Sequence, residues 1–344
     1  MSECTKDIEP ITGIYHQSVF NLDNGHGRSL EFEVQGKKRC TPLFFPSISS
    51  CGLKIDLPTL VETIKSIDFE TILVSCYDIY HNNEDKKFDF INDRAEKLSF
   101  FDCGCYESYW FNDSNWDFTK YDQILKSTVF DFYTSFDIYM NEQNNYGEFK
   151  ESTYTSIINS EKSAPKSVLY PVIHNTEKNE VINLTQDLVN DEIIKLKAIA
   201  YSERDLGNNI LDVISNLKKI RTILNNYNEE IILHVLGCGD PKTIALYIYC
   251  GVDSFDSRDW AKRTVNYNNN LTYPLNYLEA INCNCPICQT GDQTYISKLL
   301  LHNLLYYQKF MNTLRNHIQQ ETFNEYISEI IDQSLINIVA RANK

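Results

Sequence analysis

Basic residues are in short supply: 32 lysines and arginines stand against 47 aspartates and glutamates in 344 residues, a net charge of −15. That balance argues against unguided binding to a polyanion, which depends on cations set against phosphates. A nucleic-acid partner would have to be held by a local basic strip or with the help of another protein. No apolar run approaches the roughly 20 residues of a membrane span. The opening segment MSECTKDIEP has neither the basic nor the apolar region of a secretory signal, so a cytoplasmic protein with no membrane partner is expected. No short repeat or low-complexity linker divides the chain, and the Asn-rich stretches at Asn141–Asn145 and Asn268–Asn270 read as loops. No Gly-x-Gly-x-x-Gly follows the first strand pattern, which weighs against a dinucleotide-binding doubly wound sheet.

What is present is a regular alternation of short apolar runs with amphipathic segments. The expected strands are Pro42–Phe45, Thr71–Cys76, Leu98–Asp102, Phe136–Tyr139, Val168–His174, Leu196–Tyr201, Ile231–Leu236 and Asp253–Asp256. Helical patterns lie between them, clearest at Pro58–Ile67, Asp122–Tyr133, Leu184–Lys195, Asn208–Asn226 and Pro241–Cys250. Runs such as SVLYPVIH and EIILHVLG are apolar on both faces, as parallel strands covered by helices should be. Eight such units predict an α/β fold, a (β/α)8 TIM barrel over residues 41–275. A hairpin extension is expected in residues 1–40, with Asn24-Gly25 as the turn of a Val19–Val34 hairpin. A zinc-binding helical subdomain is expected over 276–344, with two long helices in Tyr295–Ala342.

In such a barrel the chemistry gathers at the C-terminal ends of the strands. Asp102, Asp137, His174, Glu203 and Asp256 all fall there. Each alone is more simply a helix N-cap, but five at equivalent positions point to a site. Two aspartates on separate strands suit displacement at a sugar carbon: one carboxylate attacks, and the other manages the proton of the departing or arriving group.

Eleven cysteines in such a chain point to thiols or metal ligands before disulfides. Most are scattered, as small buried side chains often are. Cys283, Cys285 and Cys288 cluster in CNCPIC, and His302 follows in a helical pattern. Three thiolates and an imidazole complete a closed tetrahedral shell, the arrangement of a structural Zn2+.

Taken together these segments resemble the tRNA-guanine transglycosylase superfamily. FFDCGCYES resembles the family's Asp-Ser-Gly-Gly-Phe-Gln segment and GVDSFDS its Gly-Val-Asp-x-Phe-Asp segment. HVLGCGDP, CNCPIC with His302, and TPLFFPSI match further motifs in the family's order, from about Thr41 to Arg315. The resemblance implies Asp256 as nucleophile and Asp102 as proton-transfer partner. It further implies Asp137 as reader of the guanine edge, His174 where the tRNA enzymes usually carry glutamine, and Ala198 near a glycine whose backbone contacts the base. Tyr106 is a stacking candidate, and Glu203 joins the substrate-binding set.

Several features depart from the pattern. Cys103 and Cys105 replace Ser and Gly beside Asp102, and SRDWAKRTVN after Asp256 lacks the Leu-Pro-Thr-Arg stretch of bacterial enzymes. Only 13 residues separate Cys288 from His302, and an appended archaeal-type RNA-binding domain is not expected. Arg258, Lys262 and Arg263 are the candidates for backbone contact. Lys218, Lys219 and Arg221 read as exposed surface. The remodelled pattern resembles most the DNA-guanine transglycosylases of 7-deazaguanine modification systems. The first expectation is therefore exchange of guanine in DNA for a 7-deazaguanine such as preQ0. The same exchange on tRNA comes second, and a non-catalytic accessory subunit third.

Overall fold

The computed structural model describes residues 14–15, 27–82, 88, 96–138, 145–174, 180–227, 229–291 and 293–341. Its centre is a parallel sheet of β4 (Leu43–Ile48), β5 (Thr71–Ser75), β6 (Leu98–Asp102), β7 (Phe132–Thr134), β8 (Val168–Tyr170), β9 (Val172–Ile173), β10 (Ala198–Ser202), β11 (Ile232–Leu236) and β12 (Ser254–Ser257). The order is β8-β7-β6-β5-β4-β12-β11-β10-β9. Because β8 and β9 are halves of one run split at Pro171, which has no N–H to give the ladder, the two ends of the sheet are contiguous in the chain. The first half pairs with β7 and the second with β10, so eight staves surround a nearly closed barrel.

Helices cover the outside. Those at Leu57–Ser66, Phe118–Ser127, Tyr146–Ser163, Ile210–Asn225 and Pro241–Tyr249 are capped by Asp56, Asp117, Asn145, Asn209 and Asp240, each satisfying backbone N–H groups of a first turn. None of these caps is one of the five strand-end residues singled out from the sequence. A large apolar core lies between staves and helices. A second fills the barrel interior and includes Phe45, Phe100, Phe132 and Ala198.

An antiparallel hairpin, β2 (Glu31–Val34) and β3 (Lys37–Cys40), contributes Leu30, Phe32 and Val34 to that interior core and so closes the N-terminal end of the barrel. Its turn is Gln35-Gly36, both at positive φ (47° and 79°), as a two-residue hairpin requires. Asn24-Gly25, the expected turn, lies outside the described residues. Beneath the barrel, Asp253 at the foot of β12 accepts hydrogen bonds from Arg28 (2.7 Å), Arg221 (2.5 Å) and the Leu233 amide (2.8 Å).

Other expectations need correction. The fourth stave is Phe132–Thr134, not Phe136–Tyr139, and the helix before it is Phe118–Ser127 rather than Asp122–Tyr133. Ser135 ends the ladder there: its hydroxyl oxygen accepts a hydrogen bond from the Val172 amide (2.9 Å). Arg221 is fully buried rather than exposed. After the cysteine cluster comes one 25-residue helix, Tyr295–Gln319, then two short ones, Phe323–Ile330 and Gln333–Arg341, in place of two long helices. The long helix packs on the barrel through Phe44 and Tyr307, stacked at 4.3 Å between centroids, and through Asn303, which bonds the Trp260 and Arg263 carbonyls. Among the described residues no helix is long and apolar enough to cross a membrane.

Candidate active site

A cavity of about 350 Å³ opens at the C-terminal ends of the staves, within the size range of small-molecule pockets. Asp102, Asp137, His174, Glu203 and Asp256 all line it, as do Tyr106, Arg258 and Lys262. Each strand-end residue is carried there by a stave whose buried alternate side chains fix its register.

Asp256 is held from several directions. Ser47 donates to Oδ2 at 2.6 Å, and the Gly237 amide donates to Oδ1 at 3.1 Å. His234 Nε2 lies 3.3 Å from the same Oδ1, and its Nδ1 meets Ser254 Oγ at 2.9 Å. A carboxylate pinned through both oxygens keeps one orientation toward the cavity, as a nucleophile requires.

Asp102 has a different environment. Its one hydrogen bond of note is from the Gly104 amide at 3.0 Å. Burial, with the charges of Glu107 and Asp137 nearby, pushes its pKa well above the usual carboxylate range. Such a group is suited to holding and passing a proton. The two aspartates thus sit in unlike surroundings, the kind of contrast by which a pair of carboxyls can divide acid–base from nucleophilic work.

Glu107, on the helix Cys105–Phe111, is buried and accepts hydrogen bonds from Ser49 and from Ser75 (2.8 Å). Beneath it, Asp78 accepts from the Ser50 amide (2.7 Å) and the Ser50 hydroxyl. Burial and Glu107 raise its pKa to about 7. His174 bridges two carboxylates: Nε2 is 3.2 Å from Asp137 Oδ1 and Nδ1 is 2.8 Å from Asp205 Oδ2. Burial alone would push its pKa down, but Asp137 and Asp205 outweigh burial and raise it to about 9. The two carboxylates thus favour the protonated form of His174.

At the rim, the Arg258 guanidinium lies 4.8 Å over the Tyr106 ring and donates to its hydroxyl (2.9 Å) and to the Cys51 carbonyl. Tyr106 is thus the partner of a cation as well as a cavity wall. Beyond it the same helix exposes Tyr109, Trp110 and Phe111 at 76%, 57% and 50% of their surfaces. Glu203 accepts from Tyr247 (2.9 Å), and burial raises its pKa.

Two expected residues stand apart. Ala198 is at the N-terminal end of β10, in the interior core beside the hairpin. The residue of that stave which reaches the cavity is Ser202, four positions on. Arg263 is exposed and begins the short strand Arg263–Val265, off the cavity wall. Ser47, Glu107 and Ser202 were missed from sequence. Ser202 carries one legible signal, a hydroxyl closing an otherwise apolar strand run.

The cysteine cluster comes together as the spacing predicts. One ligand atom from each of Cys283, Cys285, Cys288 and His302 lies within 4.8 Å of the others, forming a possible metal site. His302 Nδ1 is 3.5 Å from Cys285 Sγ and 3.4 Å from Cys288 Sγ. Its Nε2 faces the Val265 carbonyl at 2.8 Å, so that nitrogen carries the proton and Nδ1 presents a lone pair to the cluster. Amides of Cys285 and Cys288 donate to the Cys283 and Cys285 sulfurs (3.4 Å each). This donor set fits Zn2+.

The model of the family described as queuine tRNA-ribosyltransferase matches residues 114–335. The chain is similar to the tRNA-guanine(15) transglycosylases of Saccharolobus solfataricus, with 24% identity over 84% of this chain and 61% of the relative, and of Sulfolobus acidocaldarius, with 24% identity over 88% and 64%. It is also similar to a queuine tRNA-ribosyltransferase of Buchnera aphidicola, with 25% identity over 50% of this chain and 52% of the relative. The chain spans about three fifths of the length of the two archaeal relatives.

Proposed function

From the premise that the chain belongs to the queuine tRNA-ribosyltransferase family, we propose that it is a guanine transglycosylase, a pentosyltransferase that exchanges guanine in a nucleic acid for a 7-deazaguanine base. The observation that carries this reading is the convergence of Asp256 and Asp102, in unlike environments, on one cavity with Asp137 and His174. The Asp256 carboxylate attacks C1′ of the target nucleotide as the C1′–N9 bond breaks. Guanine leaves, taking a proton from Asp102, and the sugar stays bound to Asp256 as an ester. The incoming base binds against Asp137, gives its N9 proton to Asp102 and attacks C1′, which frees Asp256. Two displacements retain the β configuration. The target base must leave its stack to enter the barrel mouth, and Tyr109 and Trp110 offer exposed rings beside that entrance.

Zn2+ at Cys283, Cys285, Cys288 and His302 would be structural. Bound there, it would fasten the segment after the short strand Thr272–Pro274 to the long helix, and the four side chains would leave no ligand position for chemistry.

The names of the relatives support tRNA as the acceptor. The DNA reading rests on the sequence alone, on SRDWAKRTVN and on His174 in place of glutamine. Incorporation of labelled base into tRNA, single-stranded DNA and duplex DNA, assayed side by side, decides the acceptor. Asp256→Asn should abolish exchange on every acceptor while leaving the fold intact, and normal exchange by that variant would end the nucleophile assignment.

A further inference from the structure

Cys103 and Cys105, the two departures beside Asp102, take no part in the chemistry above. Gly104 between them has φ 81°, and a Cβ there would lie 2.6 Å from Tyr77 atoms, so only glycine permits this turn. The turn sets the two thiols close to each other and to Asp137. One sulfur from each cysteine and a carboxylate oxygen of Asp137 lie within 4.8 Å of one another. Cys103 is buried, whereas Cys105 and Asp137 are partly open, and Asp137 lines the cavity.

We propose that Cys103, Cys105 and Asp137 form a second binding site, distinct from the Cys3His cluster, for a thiophilic divalent cation of the zinc class. Two sulfurs and one oxygen are a donor set that Zn2+ and Cd2+ accept, with a fourth position left for water. Bond lengths near 2.3 Å to sulfur and 2.0–2.2 Å to oxygen require only small side-chain rotations from the present spacing. Charge balances as well: the ion displaces two thiol protons, so the pocket, which already pairs Asp137 with His174, gains no net charge. Its occupation would take Asp137 away from the base. The consequence, inhibition of exchange in competition with the free base, rests on the function proposed above, whereas the binding does not.

The test uses the full chain loaded with zinc at the Cys3His cluster and titrated with Cd2+ alone. Cadmium–thiolate absorbance in the ultraviolet, proton release and elemental analysis of retained zinc are followed together. One further equivalent should bind to the wild type, with release of two protons and no loss of the resident zinc. Cys105→Ser should lose that equivalent, and Asp137→Asn should weaken it. No further equivalent in the wild type, or undiminished uptake by Cys105→Ser, would overturn the proposal. The two readings fail separately: uptake without exchange on any acceptor removes the transglycosylase, and exchange without uptake removes the site.

Discussion

Replacing His174 by glutamine tests the charge arrangement around the proposed base-reading carboxylate. The wild-type imidazole is buried between Asp137 (3.2 Å) and Asp205 (2.8 Å), and its pKa stands near 9 against an ordinary 6.5. A proton held that much more tightly in the folded than in the unfolded chain contributes about 3 kcal/mol to stability, at about 1.4 kcal/mol per tenfold change in proton affinity. Because the folded pKa is the higher one, the contribution is complete below about pH 6.5 and fades as pH rises through about 9. At pH 7.5 about 2 kcal/mol of it remains. Urea unfolding of wild type and His174→Gln at a series of pH values reads this directly. The stability difference between them should shrink by about 3 kcal/mol on passing from pH 6 to pH 10. A difference constant across that range would refute the reasoning, whatever its absolute size. In the exchange assay the wild type should lose affinity for the incoming base over the same interval, since Asp137 then faces a neutral partner.

Other consequences can be measured with ordinary variants. Asp102→Asn should stop turnover at both proton transfers, so mass spectrometry of denatured protein should find no more sugar on Asp256 in that variant than in wild type; a larger covalent adduct would restrict Asp102 to the second displacement. Cys285→Ser should remove zinc on elemental analysis and lower the melting temperature, because metal-binding energy is folding energy. Arg221→Met should cost about 3–5 kcal/mol in urea unfolding, since it strips a buried carboxylate of one guanidinium. It also leaves the Gly251 and Ile231 carbonyls without their donor.

Much of this architecture was legible in the sequence where composition and period agreed. Leu98–Asp102 matches its predicted strand at both ends because Leu98, Phe100 and Phe101 form a short apolar segment that stops at a charge. The fourth stave was misplaced because Phe130, Phe132, Phe136 and Ile138 continue one alternation through strand and loop alike. Only the tertiary bond that the Val172 amide donates to the Ser135 hydroxyl marks where pairing stops. Arg221 was misread by charge: it follows Lys218 and Lys219, yet the helical period puts it with Leu217 and Leu224 on the buried stripe. Its counter-ion Asp253 is 32 residues away. The strand-end residues were recoverable because barrel topology brings all such ends to one mouth. Glu107 was not, since its role depends on the first turn of a helix that begins at a left-handed glycine.

The carboxylate of Asp253, clasped by two arginines beneath the barrel, has a bearing on the opposite end of its strand. Asp256 is three residues further along the same short segment. Sliding that segment by one residue would turn Asp256 away from the mouth, and sliding it by two would drag Asp253 out of a buried pocket in which it accepts from both guanidiniums. Neither displacement is affordable within a fold of ordinary marginal stability. The depth at which the Asp256 oxygens stand is therefore gauged from the far side of the molecule, like a piston stop set at the base of a cylinder. Variants at Arg28 or Arg221 that still fold should then show the Asp256 carboxylate displaced at the mouth.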